Sequence, residues 1–165
     1  MLVDCCLGVE IAEDRQHTSI AAAGRIDGDL ILVELVHYIG GTDPVAEILA
    51  LRKERTVRAV AIDPRSPGAT LVKLLRNAGV MFTEMTSHDV SVAHGRFIDL
   101  LTAGKLKAAR DDRLTEAVKY GQDRRLGGAS AWERRGAAID ISPANAAEFA
   151  VWAALDGAGR RVAIY

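Results

Sequence analysis

Apolar residues fill positions 2–12 almost without interruption, then return at 18–24 after the polar run Glu13-Asp14-Arg15-Gln16-His17. A third apolar run, LILVELVHY, covers Leu30 to Tyr38 behind the turn signal Asp27-Gly28-Asp29. Short apolar runs bounded by turn residues predict strands, and three in succession predict an antiparallel meander. Then the period changes. Thr42 reads as a helix cap with Pro44 in the first turn, and Val45, Ile48, Leu49 and Leu51 give the helix an apolar side. Val57 to Ile62 (VRAVAI) is nearly all apolar, as expected at the buried centre of a sheet.

The remaining pattern alternates. A helix is predicted over Gly68–Asn77 with Gly79 as its stop, and a strand over Val80–Met85. Further helices are predicted over Asp89–Ala103, where His88-Asp89 reads as the cap, and over Leu114–Tyr120. Residues 121–137, rich in Gly and Arg, read as a polar loop or hairpin. Ser142-Pro143, a cap followed by Pro at the first helical position, opens an Ala-rich helix through Leu155. The closing GRRVAIY reads as a loosely held tail or a short edge strand. The order βββαβαβα with added helices predicts an α/β fold of the RNase H-like kind: a central mixed sheet, three antiparallel strands then parallel ones, flanked by helices. A doubly wound parallel sheet would not begin with a meander.

At 165 residues, 49% of them hydrophobic and 26% charged, the chain has the size and balance of a single domain with its own core. No stretch reaches the ~20 apolar residues of a membrane span, and MLVDCC lacks the basic start of a signal peptide. Cys5 and Cys6, being adjacent, lack metal-ligand spacing and read as small buried strand residues. The net charge of −1 hides an asymmetry. Residues 1–50 carry nine acids against two arginines, whereas residues 105–135 carry nine Lys and Arg against five acids. A basic face of that kind suits a polyanion.

Three acids sit where acids are costly. Glu10 stands between Val9 and Ile11 inside an apolar strand, and a carboxylate there costs several kcal/mol unless it is compensated. Asp63 ends the most apolar strand, and in an RNase H-like sheet the first and fourth strands are neighbours. Asp140 lies between Ile139 and Ile141 at the start of the last helix, where negative charge is favoured. Together Glu10, Asp63 and Asp140 would form an oxygen-rich site for Mg²⁺ or Mn²⁺. Two such ions ~3.5–4 Å apart position water for attack on a phosphodiester. Asp14 is a possible fourth ligand but fits a turn, and Glu148 is a reserve for Asp140. His17, His37, His88 and His94 lack zinc spacing. The chain has no phosphate-binding Gly-x-x-x-x-Gly-Lys-Ser/Thr loop and no Gly-x-Ser-x-Gly elbow. Trp132 and Trp152 read as packing residues.

Taken in order, these segments resemble the C-terminal nuclease domain of the large terminase subunit of tailed bacteriophages. LGVEIAEDRQHTSIAAAG resembles that family's first strand and hairpin, and VRAVAIDPRSPGATLVKLL its second acidic strand and following helix. HGRFIDLLTAGKLKAARDDRLTEAV resembles its helix, short G-x-L strand and next helix. LGGASAWERR with IDISPANAAEFAVWAAL resembles the closing loop, third acid and last helix. The resemblance implies metal-dependent, largely sequence-nonspecific cutting of concatemeric double-stranded viral DNA during genome packaging. It also implies an N-terminal ATPase in the full protein, the portal and the small terminase subunit as partners, and the host cytoplasm, at the viral prohead, as location. Lys119, Arg124, Arg125, Arg134 and Arg135 would then contact phosphates. The family's first acid is usually Asp. Glu10 is one methylene longer, which would displace the ion and favour weak or Mn²⁺-preferring activity. A Holliday-junction resolvase of the same fold and an inactive RNase H-like docking module are the rival readings.

Overall fold

The computed structural model describes residues 1–157, so the expected terminal GRRVAIY segment lies outside the described residues. The meander forms as expected: β1 (Asp4–Ile11), β2 (His17–Asp27) and β3 (Leu30–Gly40) pair antiparallel in sequence. After helix α1 (Val45–Glu54), β4 (Thr56–Ile62) adds parallel to the free edge of β1. A 3₁₀ turn (Pro67–Thr70) and α2 (Leu71–Asn77) lead to β5 (Thr83–Glu84), parallel to β4. Helix α3 (Ser87–Thr102) then crosses to β6 (Leu106–Ala108), parallel to β3, giving the sheet order β5-β4-β1-β2-β3-β6. Helix α4 (Asp112–Tyr120), the hairpin β7 (Asp123–Leu126) and β8 (Ala129–Trp132), and α5 (Ser142–Trp152) complete the described elements, before a π-type turn at Ala153–Gly157.

Strand alternation divides the core. Leu7, Val9 and Ile11 of β1, with Ile20 and Ala22 of β2, meet Ile48 and Leu51 of α1 and Leu71 and Leu75 of α2. Cys6, Ala21 and Ala23 point to the other face, where α3 and α5 pack. Both cysteines are buried free thiols, and both tryptophans are buried in the packing. Every residue of α5 from Ser142 to Trp152 is buried, because small residues let it approach closely. The closest approach is at Gly8, where a Cβ would lie 2.0 Å from the Ala146 carbonyl oxygen and 2.5 Å from the Ala150 nitrogen. Each fully buried aliphatic side chain here contributes roughly 1.5–3 kcal/mol. Among the described residues no helix is long and apolar enough to cross a membrane.

Four local expectations are corrected. The run Val80–Met85 yields only the two-residue β5, since β4 offers pairing partners only at Ala61 and Ile62. Val80 and Phe82 are apolar because they fill the core, and Val80 N–H is spent on the Leu75 carbonyl at the end of α2. Helix α1 starts two residues later than the Thr42 cap implies: Pro44 is the cap residue, and the Asp43 carboxylate accepts from Val45 N–H at 3.1 Å. Likewise Ile141 rather than Ser142 caps α5, and Thr86 with Asp89 forms the capping box of α3.

Candidate active site

The parallel register of β1 and β4 pairs Gly8 with Ala61. Two residues further along each strand stand Glu10 and Asp63, on the same face and at the carboxyl ends of adjacent central strands. Both are nearly inaccessible, at 1% and 3% exposure. Glu10 Oε1 accepts three hydrogen bonds: from Ser66 Oγ at 2.7 Å, from its neighbour Ile11 N–H at 2.9 Å and from Gly68 N–H at 3.1 Å. A Cβ at position 68 would sit 2.9 Å from the same oxygen, so any larger residue there would push the Glu10 carboxylate aside. Glu10 Oε2 is buried and accepts no hydrogen bond; Arg134 Nη2 stands 3.4 Å away. Burial pushes the Glu10 carboxyl up to about 7, and the nearby Asp63 charge adds to the shift, against the pull of Arg134 and Ser66.

Asp63 is held from two sides. Its Oδ1 accepts from Arg65 N–H at 3.0 Å and from Arg65 Nη2 at 3.1 Å, and its Oδ2 accepts from Arg134 Nη2 at 3.2 Å. One nitrogen of Arg134 therefore bridges the two carboxylates. This is the position that a shared cation would take, and the donor set of hard carboxylate oxygens with one unbonded lone-pair site suits Mg²⁺ or Mn²⁺.

Asp140 takes a different place. Its Oδ1 accepts from Ser142 N–H at 2.8 Å, completing the first turn of α5, and its Oδ2 accepts from Tyr38 Oη at 3.0 Å and Ser142 Oγ at 3.1 Å. Ser142 Oγ also lies 2.8 Å from Ser19 Oγ, and Ser19 is the cross-strand partner of Glu10. Asp140 is thus displaced by about one strand from the Glu10–Asp63 pair. Among the described residues no three His, Cys, Asp or Glu side chains converge closely enough to hold a metal ion. Burial and then the Asp140 charge push the Tyr38 hydroxyl up to about 12, so it stays a donor to that carboxylate. Asp14 makes a turn, its Oδ1 accepting from Gln16 N–H at 2.9 Å. Glu148, fully buried in α5, pairs with His94 at 3.1 Å, and the other ring nitrogen of His94 pairs with Asp123 of the hairpin at 3.1 Å.

Beside the carboxylate pair opens a groove of about 740 Å³ lined by Arg15, Arg65, Arg124, Arg125, Arg134 and Arg135, with Glu13 and Glu133. Four of the five residues expected to meet phosphate line it. Lys119 does not, and its ammonium lies 5.0 Å from the Tyr120 ring on α4. Two arginines come from outside the basic segment. Arg15 adopts a left-handed φ of 62° in the β1–β2 turn and donates to the Pro67 carbonyl at 2.9 Å and to Thr70 Oγ1 at 3.2 Å. Arg65 also donates to the Met85 carbonyl and to Ser87. Position alone signals them: each follows a candidate acid by one or two residues, Asp14 and Asp63. A second cavity of about 360 Å³ is lined by Asp140, Asp14 and Asn145 among others, and Arg134 borders both cavities.

No family model matches the sequence, and no curated protein matches it. Solved structures do. The large terminase nuclease from thermophilic phage G20c superposes with a TM-score of 0.68 at 15% identity, covering 89% of this chain and 80% of that one. Further structures of the G20c nuclease contain bound magnesium and bound cobalt. The HK97 bacteriophage large terminase gives 0.73 at 12% identity, over 93% of this chain and 40% of that one. The nuclease domain of Thermus phage P74-26 large terminase gives 0.57 at 15% identity, over 88% and 77%. The chain has the fold of the terminase nuclease domains, as its ordered segments lead one to expect.

Proposed function

We propose that this chain is a divalent-metal-dependent endonuclease acting on double-stranded DNA, in the role that the terminase nuclease plays in genome packaging. The observation that carries this reading is the pairing of Glu10 and Asp63 about one cationic nitrogen, at the edge of an arginine-lined groove, in a fold shared with terminase nucleases. Glu10 and Asp63 would hold the ion. Asp140, at the adjoining cavity, is the third carboxylate of a two-ion set and would exchange its bond to Tyr38 to join it. A bound divalent ion supplies an activated water and offsets charge on the phosphate.

The protein's own groups prepare that chemistry. Ser66 Oγ and the Ile11 and Gly68 N–H groups fix the Glu10 carboxylate by one oxygen, which leaves the other aimed at the site. Arg65 fixes Asp63 in the same way. The groove arginines bind phosphates without reading bases, which fits cutting of little sequence preference. In the complete protein an ATPase domain, the portal and the small subunit would deliver the DNA, at the prohead in the host cytoplasm.

Plasmid digestion with Mg²⁺ or Mn²⁺ tests the reading. The native protein should nick and linearise plasmid, and Asp63→Ala should abolish cutting; equal cutting by both refutes the assignment. A specific feature favours one rival, the inactive docking module: Arg134 already balances the two acids without a metal. Absence of Mn²⁺ binding heat together with absence of nicking would establish that rival.

A further inference from the structure

Two guanidiniums, Arg65 and Arg134, stand against the carboxyl groups of Glu10 and Asp63, so cationic partners are in place before any metal arrives. The two arginines are held differently. Arg65 has anchors besides Asp63, at the Met85 carbonyl and Ser87. Arg134 reaches the site by Nη2 alone, and its Nε is buried without a hydrogen bond. On the other side of that contact, Glu10 Oε2 is also buried without one. A contact that leaves an unbonded polar atom on each partner is held by charge more than by hydrogen bonding, and a buried group left unbonded is costly. Arg134 sits in the segment between β8 and α5, at 11% side-chain exposure, and borders both cavities.

We propose that Arg134 is a built-in counter-ion that occupies the cation position between Glu10 and Asp63, and that a divalent ion enters by displacing it. This rests on the metal-dependent reading above and adds a competitor to it. The same side chain cannot neutralise the carboxylate pair and a DNA phosphate at once. Displacement by the ion releases the guanidinium at the border of the arginine groove, where a phosphate can take it up. Metal and DNA therefore bind with positive linkage, each raising the affinity for the other. Without DNA, the occupied pair restrains metal loading.

Isothermal titration of Mn²⁺ into native protein, Arg134→Gln, Arg134→Lys and Asp63→Ala tests the exchange. Removing the competing charge should tighten Mn²⁺ binding about ten-fold in Arg134→Gln, whereas Arg134→Lys should stay near the native affinity. Equal or weaker binding by Arg134→Gln, with native binding intact and lost in Asp63→Ala, overturns the exchange and leaves the metal reading standing. No binding by the native protein overturns both. Should Arg134→Gln fail to fold, the native protein still decides. On addition of Mg²⁺ the Arg134 Nε–H resonance should move to the shift and fast exchange of a solvated guanidinium. An unmoved resonance in Mg²⁺-bound protein refutes displacement.

Discussion

Two buried glutamates, Glu10 and Glu148, are compensated in opposite ways. Glu148 lies in the middle of α5, sealed among α3, α5 and the hairpin, with His94 donating to it and Trp132 edge-on to the His94 ring at 4.8 Å. Glu10 is as deeply buried, but it ends a strand at the border of an open groove, and its partners are a hydroxyl, two backbone N–H groups and a guanidinium from a loop. The first arrangement ties the hairpin to the core through Asp123. Each leaves one carboxylate oxygen without a hydrogen bond, but that of Glu10 faces the Arg134 guanidinium at the border of the groove, whereas that of Glu148 is enclosed in the core. Burial alone does not mark a functional acid; the replaceability of its partner does.

The largest separation of the two should come in catalysis. Glu10→Gln should lower plasmid nicking on the order of 100-fold or more by removing an ion ligand, while Glu148→Gln stays within about three-fold. Comparable losses would erase the distinction. Stability in EDTA should invert the order. Glu148→Ala leaves His94 Nδ1 without a partner in the core, with only Asp123 on the other ring nitrogen, and should cost about 3 kcal/mol in urea unfolding. Glu10→Gln resembles the neutral form that burial already favours, and at pH 6 should change stability by about 1 kcal/mol or less.

The pH profile sharpens the contrast further. Burial works against the charged His94 ring, yet the Glu148 and Asp123 carboxylates outweigh it and raise its pKa above the ordinary value. The folded state then binds the proton more tightly than the unfolded chain. The resulting stability is complete below an unfolded pKa of about 6.5 and is lost as pH rises through the folded value. The stability gap between native protein and His94→Gln should thus be widest near pH 6 and narrow towards pH 9; a gap that widens with pH would contradict a charged His94. The smallest effect should come from the groove. Arg125→Ser should weaken binding of a DNA duplex in EDTA a few-fold and lower the salt slope by about 1, read by fluorescence anisotropy. The same change at Lys119, away from the groove, should leave the slope nearly unaltered.

The adjacency of Glu10 and Asp63 is legible once the element order is matched to an RNase H-like sheet, in which the first and fourth strands are neighbours, as they are here. The hairpin could be anticipated from Gly127-Gly128 between two short runs, though not its docking against α3. Asp140 was recognisable as a helix-start acid, but its bond to Tyr38 joins residues 102 positions apart, and no local pattern encodes that. Arg15 and Arg65 are not legible in the sequence, because a lone arginine in a turn looks like solvated surface until the turns are brought together. At Val80–Met85 the apolar spacing signals burial, not pairing.

The missing side chain at Gly8 has a wider consequence. With backbone pressed on backbone, strand and helix have no adjustable spacer between them, so the gap acts as a gauge that no rotamer can retune. Glu10 lies two residues beyond that gauge on the strand, and Asp140 lies just ahead of the helix it sets. The spacing of the strand and helix that carry these two acids is therefore set at a position that carries no chemistry, and even an alanine there would be felt as a lateral shift of their backbones.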